Sequence, residues 1–380
     1  MKVLHILNEL KPSGAEVMLE KAAPVWIGLG CELHIMALAD SPGSYAKPLS
    51  QVGWQVSHLS RSQGLLSLIR SLIKRFGEIR PDLIHFHQEG ISLPLAFAAR
   101  LSGIPMVRTV HNNFPFSGVL RWRKTLERAL CRWMGCQYIA ISSSVQENEL
   151  KRFKNPSELC WNWFDSKGFR PPSPEEKIQA RQRLGIPPHQ IVMVSVGNGS
   201  DTKNYKVVIQ SLALLKKPDL HYYQVGNPHP QAVDALAARE AEVENQVTFV
   251  GPRTDIADWL WACDIYVMPS IFEGYGLAAV EALASGCDCL FADCPGLADF
   301  KSLNLIANWV SPDPDAFSTG IRRLLQEPTP NHALISNSTL TCELFDTSRR
   351  SQAYHNFWIQ TLDRLGDRIP DPNQRHWKRK

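Results

Sequence analysis

Short apolar runs alternate with helical patterns along this chain, and the alternation occurs twice. In the first half, Val3 to Asn8, Leu33 to Leu38, Gln55 to Leu59, Leu83 to His87, Met106 to His111 and Tyr138 to Ser142 read as strands. Ala15 to Trp26 reads as a helix. So does Leu65 to Phe76, where Leu65, Leu68, Ile69, Leu72, Ile73 and Phe76 recur at helical spacing. The second half repeats the theme. Ile191 to Gly197, His221 to Val225, Val247 to Val250, Ile265 to Met268 and Cys289 to Ala292 are strands, and Lys206 to Leu215 is a helix. Strands separated by helices imply parallel, doubly wound α/β sheets. A length of 380 residues exceeds one core, so two Rossmann-like domains are expected. The proline-rich Arg170-Pro171-Pro172-Ser173-Pro174 and Pro187-Pro188 read as a linker over 166–188, between domains at 1–165 and 189–347. In such sheets ligands gather at the C-terminal strand ends, so a cleft faced by both domains is expected.

Composition excludes several classes. A net charge of +4 is too mild to argue for nucleic acid as a partner. Nine scattered cysteines without a spacing repeat imply a reducing compartment rather than a disulfide framework. Cys287, Cys289 and Cys294 lack metal-ligand spacing and read as small buried strand residues. The apolar start Met1 to Leu7 is cut short by Asn8, Glu9 and Lys11, so no signal peptide is read. No uncharged run reaches the ~20 residues of a membrane span. A cytoplasmic protein is expected, at most peripheral on the inner face of a membrane. The basic end, 366–380, reads as a solvated tail.

The most specific stretch runs from Pro269 to Gly286, as PSIFEGYGLAAVEALASG. An apolar strand feeds a Pro-Ser turn, two glycines flank Tyr275, and an Ala/Leu-rich helix follows and stops at Gly286. Free amides at such a helix start attract phosphate or sugar hydroxyls. Glu273 in the turn and Glu281 in the helix can each bind a diol, one on a sugar and one on a ribose, with phosphates between. The competing reading is a generic βα turn with Glu273 as a solvated charge.

This stretch resembles the E-x7-E signature of retaining glycosyltransferases of the GT-B fold, family 4, in which Tyr275 is usually Phe. The resemblance runs from Met1 to about Leu365. It implies that Glu281 binds the ribose, that Glu273 binds the donor sugar, and that amides around Gly274, Tyr275, Gly276 and Leu277 meet the diphosphate. It also implies that a final helix, 348–365, with Tyr354, Phe357 and Trp358, returns to complete the first domain. Gly251-Pro252-Arg253-Thr254 stands where relatives meet the base; Arg253 either stacks there or is solvated. A Gly-Arg pair normally follows the first strand of this domain. Here Gly197 is followed by Asn198, a neutral amide in place of a bidentate cation. Lys203 stands where the second cation is expected, with Lys206 nearby.

On the acceptor side, Pro12-Ser13-Gly14-Ala15-Glu16 resembles the Gly-Gly-Ala-Glu loop of the family, with Ser13 for one glycine and Gly14 against the donor. His85-Phe86-His87 and Thr109-Val110-His111 fit its H-x-H and T-x-H positions. The resemblance places His111 on the donor sugar and His87 beside the acceptor. His85 and His87 share a strand face, so one of them is expected to pack. The implied reaction moves a sugar from a nucleotide-diphosphate sugar to a glycan or lipid-linked hydroxyl, with retention. His111, Glu273 and Lys203 stand nearest the chemistry. No covalent intermediate is assigned, since no carboxylate is placed as a nucleophile. No metal or other cofactor is expected, because no Asp-x-Asp motif sits at a strand end.

Residues 121–134 read as a helix with Arg121, Arg123, Lys124, Arg128 and Arg132 against Glu127 alone, flanked by Trp122, Leu126 and Trp133. This reads either as a face for an anionic membrane or as a solvated amphipathic helix. Leu65 to Phe76 adds Arg70, Lys74 and Arg75. Two rival functions remain. One is a catalytically silent GT-B binding partner, which Asn198 favours and Glu273, Glu281 and Lys203 oppose. The other is a Rossmann oxidoreductase, which the missing G-x-G-x-x-G opposes. The donor sugar, the base and the acceptor stay open.

Overall fold

The computed structural model describes residues 1–61 and 64–366, and the chain divides into two compact units. Met1–Trp163 joins with the segment from Thr347 onward to form the first unit; Phe164–Asp346 forms the second. From residue 367 on, the expected basic tail lies outside the described residues.

The first unit builds β1 (Lys2–Leu7), α1 (Gly14–Gly28), β2 (Glu32–Ala37), α2 (Ala46–Gln51), β3 (Gln55–His58), α3 (Leu65–Ile79), β4 (Leu83–Phe86), α4 (Ser92–Leu101), β5 (Met106–Val110), α5 (Gly118–Trp133), β6 (Gln137–Ala140), α6 (Ser143–Phe153) and β7 (Glu158–Leu159). Its seven strands lie in the order β3-β2-β1-β4-β5-β6-β7, parallel in every pairing. The strand order reverses at β1 and β4, which is where such sheets open a crevice. His87 and His111 stand one residue beyond the ends of β4 and β5.

The second unit builds α7 (Pro174–Arg183), β8 (Ile191–Val196), α8 (Lys206–Leu215), β9 (Leu220–Val225), α9 (Val233–Glu240), β10 (Val247–Gly251), α10 (Ile256–Ala262), β11 (Ile265–Met268), α11 (Leu277–Ala284), β12 (Asp288–Ala292), β13 (Asn308–Val310), α12 (Pro314–Gln326) and α13 (Asn331–Phe345). Its six strands run β10-β9-β8-β11-β12-β13, again all parallel. The reversal falls at β8 and β11, the strands that precede Gly197 and the Pro269 turn.

The expected linker is corrected: 166–188 contains α7. Ser173 caps that helix, Glu176 reciprocates, and Pro174 occupies its first turn, a complete capping box. Lys177 and Arg181 both bind Asp264, at 2.7 and 2.6 Å, so α7 is tied to the second sheet. Prolines that read as a spacer are here a helix start.

The last helix, α14 (Thr347–Gly366), packs on α1 in the first unit. Trp26, Trp54, Trp163, Tyr354 and Trp358 form an aromatic core there. Their indole N–H groups are satisfied: Trp26 donates to the Ser351 carbonyl at 2.9 Å, Trp163 to that of Met18 at 2.9 Å and Trp54 to that of Leu19 at 3.3 Å. Cys287, Cys289 and Cys294 are buried free thiols.

A second correction concerns α5. Lys124 and Arg128 do not belong to an outer basic face; both are buried. Arg128 makes a bidentate pair with Glu149 at 2.7 and 2.9 Å, and a further contact to Glu89. Lys124 binds Glu127 at 2.9 Å and Glu89 at 3.3 Å, and Glu89 also takes Arg108. Glu89 and Glu149, from outside α5, neutralise Arg128, and Glu89 shares Lys124 with Glu127 of the helix itself. Glu149→Ala would leave the buried Arg128 only a share of Glu89, which also pairs with Arg108 and Lys124, and should cost about 3–5 kcal/mol. Urea denaturation should show a lower midpoint for Glu149→Ala and a smaller loss for Glu149→Gln; a wild-type midpoint in the alanine variant would show that the pair supports nothing.

Candidate functional site

In the second unit, the loops after β8 and β11 are stitched together. The Ile271 amide donates to the Thr202 carbonyl at 2.8 Å, and the Asn204 side chain donates to that of Pro269 at 3.3 Å. Across this seam Lys203 Nζ meets Glu273 Oε1 at 2.8 Å, and Ser270 Oγ donates to the same oxygen at 2.6 Å. The two sequence-derived residues are therefore one pair. Glu273 is held as an acceptor, and Lys203 is a cation poised beside the turn.

Backbone geometry shapes this turn. Gly276 caps α11 at φ 75°, where a Cβ would come within 2.8 Å of the Leu297 side chain. The Glu273 amide donates to the Pro295 carbonyl at 2.9 Å. A Cβ on Gly296 would lie 2.3 Å from the Glu273 carbonyl oxygen, so only glycine lets that loop close on the turn. Sequence reading missed Pro295-Gly296, which stands well downstream of the signature. Tyr275 sends its ring into the core against Phe345 and Phe300, at 5.5 and 6.3 Å between centroids. Only its main chain can therefore serve a ligand. The amides of Leu277 and Ala278 begin a helix and have no intrahelical acceptor.

Glu281 lies one helical turn further in and half-buried. Burial pushes its carboxyl up to about 8 from an ordinary 4.5. A bound hydroxyl pair donating to it would favour the charged form. Asn198 is exposed, and its side-chain oxygen accepts from the backbone and side-chain amides of Asn227, at 3.0 and 3.1 Å. At the position where an arginine is expected, the chain has a loop tie. Arg253 is exposed and pairs with Asp255.

In the first unit, Ser13 stands at the N-cap position of α1, where its hydroxyl donates to Glu16 instead of accepting from a helix amide; Ser13 and Gly14 are exposed. His85 is fully buried, whereas His87 and His111 are half-buried. His87 and His111 share a hydrogen bond of 2.7 Å between Nδ1 and Nε2. Burial, then the nearby Arg108 cation, pushes His111 down to about 4, so it is neutral near pH 7. His5, which sequence reading left unassigned, touches His87 at 3.0 Å. Its place opposite His85 follows from the β1–β4 register and needed the strand order to be known. Among the described residues, the Asp-x-Asp motif Asp313-Pro314-Asp315 opens α12, where Asp313 caps the helix by accepting from the Ala316 amide at 2.9 Å.

Two all-parallel α/β units, each with polar residues clustered at its strand-order reversal, define a pair of Rossmann-like domains. Residues 12–203, over half of the chain, match the description Glycosyltransferase Family 4, and residues 176–341 match Glycosyl transferases group 1. The chain belongs to glycosyltransferase family 4, and its fold is GT-B. It is 24% identical over 311 residues to the putative glycosyltransferase EpsF of Bacillus subtilis, covering 77% of this chain and 79% of that one. It is 31% identical over 145 residues to the lipopolysaccharide core biosynthesis mannosyltransferase LpsB of Rhizobium meliloti, 36% of this chain and 41% of that one. The structure of HepE from Anabaena in complex with UDP and glucose superposes with a TM-score of 0.79 at 22% identity, over 95% of this chain and all of that one.

The raised folded-state pKa of the Glu281 carboxyl contributes stability that is present below pH 4.5 and lost as pH rises through 8. Wild type and Glu281→Gln should therefore melt alike at pH 5. At pH 9 the variant should melt at least about 2 °C higher. Parallel melting profiles from pH 5 to 9 would refute the burial of an uncompensated carboxyl.

Proposed function

We infer that this glycosyltransferase moves a sugar from a nucleoside-diphosphate sugar to a hydroxyl of a glycan or lipid-linked acceptor, with retention of anomeric configuration. The observation that carries this reading is the Lys203–Glu273 pair at the mouth of the β11–α11 turn, with Glu281 further in. Glu273 takes sugar hydroxyls, Lys203 and the first amides of α11 face the diphosphate, and Glu281 takes the ribose. Charge developing on the leaving phosphate meets cations and amides already in place, which is where such catalysis gains most. The leaving phosphate takes the acceptor proton, so no protein nucleophile and no metal enter the scheme. His111 contacts the donor sugar, and His87 and Ser13 stand on the acceptor side. HepE, solved with UDP and glucose, supports a uridine donor, and LpsB, a lipopolysaccharide core biosynthesis mannosyltransferase, supports surface-glycan assembly as the setting.

The acceptor side includes a surface for an anionic bilayer. Among the described residues α4 packs between α3 and α5. These helices expose Leu65 and Leu66, Phe97 and Leu101, and Val119, Trp122, Leu126 and Trp133; Trp122 is 77% and Trp133 84% exposed. Arg70, Lys74, Arg100, Arg121 and Arg123 are exposed on the same helices. With Lys124 and Arg128 withdrawn, the face is less basic than the sequence of α5 implies, and its apolar part carries more of the attraction. No helix among the described residues is long and apolar enough to cross a membrane.

Three experiments test these readings. A thermal-shift screen with UDP, GDP, ADP and their sugars should raise the melting temperature for one base. At ~100 times Kd the stabilisation is about 2.7 kcal/mol. Glu281→Ala should abolish most of that shift. The anomeric configuration of the product, read by NMR, tests retention. No nucleotide binding and no turnover would leave a non-catalytic binding protein instead. Sedimentation with anionic vesicles at low salt should retain the protein, and replacing Trp122 and Trp133 by Ala should weaken binding roughly tenfold or more. Equal binding to neutral vesicles, or none to anionic ones, would remove the membrane surface.

A further inference from the structure

Four histidines meet in the first unit: His5 and His85 within β1 and β4, and His87 and His111 just beyond β4 and β5. His5 Nδ1 lies 3.0 Å from His87 Nε2, and His87 Nδ1 lies 2.7 Å from His111 Nε2. The ring centroids are 5.2 and 5.0 Å apart, with tilts of 17° and 33°. Such spacings fit imidazoles lined up end to end rather than stacked face to face. The row runs from a buried end, His5, to a half-buried end, His111.

His85 braces the row from the side. Its ring stacks on His87 at 4.5 Å between centroids and sits 4.7 Å from that of His5. Trp358 of α14 donates its indole N–H to His85 Nδ1 at 3.1 Å. Indole nitrogen only donates, so His85 Nδ1 is bare. A neutral His85 then carries its proton on Nε2 and donates to Thr109 Oγ1 at 2.7 Å.

Burial keeps His5, His87 and His111 neutral, so each ring carries one proton and each contact needs one. Two arrangements satisfy both contacts. In one, the three protons sit on Nε2, leaving an N–H of His5 without an acceptor. In the other, they sit on Nδ1, leaving a bare nitrogen there. His5 Nε2 has no hydrogen-bond partner. Around the ring lie Trp26, Trp54 and Trp358, and their N–H groups are engaged elsewhere. A stranded buried N–H is the rarer defect, which selects the second arrangement.

We propose that His5 and His87 are positioning residues that hold His111 as its Nδ1–H tautomer, so that His111 presents a hydrogen-bond donor to an oxygen of the sugar bound beside it. The last clause rests on the assignment of His111 to the donor sugar; the tautomer does not. In this arrangement His111 orients a hydroxyl oxygen and does not act as a base. Reversing it requires three protons to move together.

A metal ion is the alternative occupant, since His5, His85 and His87 offer nitrogens within 4.8 Å of one another. A tetrahedral ion with Zn–N lengths of about 2 Å holds its ligand nitrogens about 3.3 Å apart, farther than the 3.0 Å between His5 Nδ1 and His87 Nε2. Both His85 nitrogens are already engaged.

Long-range proton–nitrogen NMR on the full chain, labelled at histidine nitrogen, reads each tautomer. His5, His87 and His111 should carry the proton on Nδ1, and His85 on Nε2. In His87→Leu and His5→Phe, His111 should lose at least tenfold of its tautomer bias. His87→Gln should retain the bias, because its amide can donate to His111 Nε2. His5→Phe keeps an aromatic ring in the core, so loss of bias there is not loss of fold. An Nε2 proton on His111 in the wild type would overturn the proposal. So would an unchanged bias in both variants, or stoichiometric zinc uptake that shifts the nitrogens of His5, His85 and His87. Loss of nucleotide binding with the tautomers intact would instead count against the function assigned above.

Discussion

Parallel pairing is the constraint on which this molecule depends. Every strand in each sheet points the same way, so each connection must cross back through a helix. The loops at the C-terminal strand ends then collect on one edge, and where the strand order reverses they part. In the first unit the reversal lies between β1 and β4 and brings His5 beside His85. In the second it lies between β8 and β11 and brings Lys203 to Glu273. Residues 70 positions apart become one ion pair because two strands lie side by side.

Burial then sets the character of these groups. The same desolvation that keeps the histidines neutral raises the Glu281 carboxyl. Arg108, Lys124 and Arg128, by contrast, stay charged because Glu89, Glu127 and Glu149 meet them. Compensated charges join β5 to α5 and α6, whereas the uncompensated carboxyl stands where a ligand can supply the missing hydrogen bonds. That difference separates scaffold from site more clearly than residue type does.

Elements with a clean period were readable. The alternation from β1 to β6, the helix α3 and the strand–turn–helix around Glu273 follow from apolar spacing and glycine placement. Others were not. In α4, apolar nearly all round and with Phe97 and Leu101 exposed, the periodic stripe is lost. In α7 the capping signal Ser173-Pro174-Glu175-Glu176 was overshadowed by neighbouring prolines. In α5 the charge count was right but the exposure was not, because Glu89 and Glu149 come from other elements. Lys203, Glu273, Glu281, His87 and His111 were named from motif positions; their hydrogen bonds were not.

The amino-acid sequence by itself determined the fold class and the short-range geometry of the Glu273 turn. Those depend on local periodicity and on glycines whose φ angles other residues resist. The tertiary structure alone decided that Gly296 must be bare, that Asn198 ties a loop, that Trp358 from the far end of the chain fixes a proton on His85, and that His5 completes a row of imidazoles. Each of these depends on what stands opposite in space. A linear sequence carries no record of that until the strands take their order.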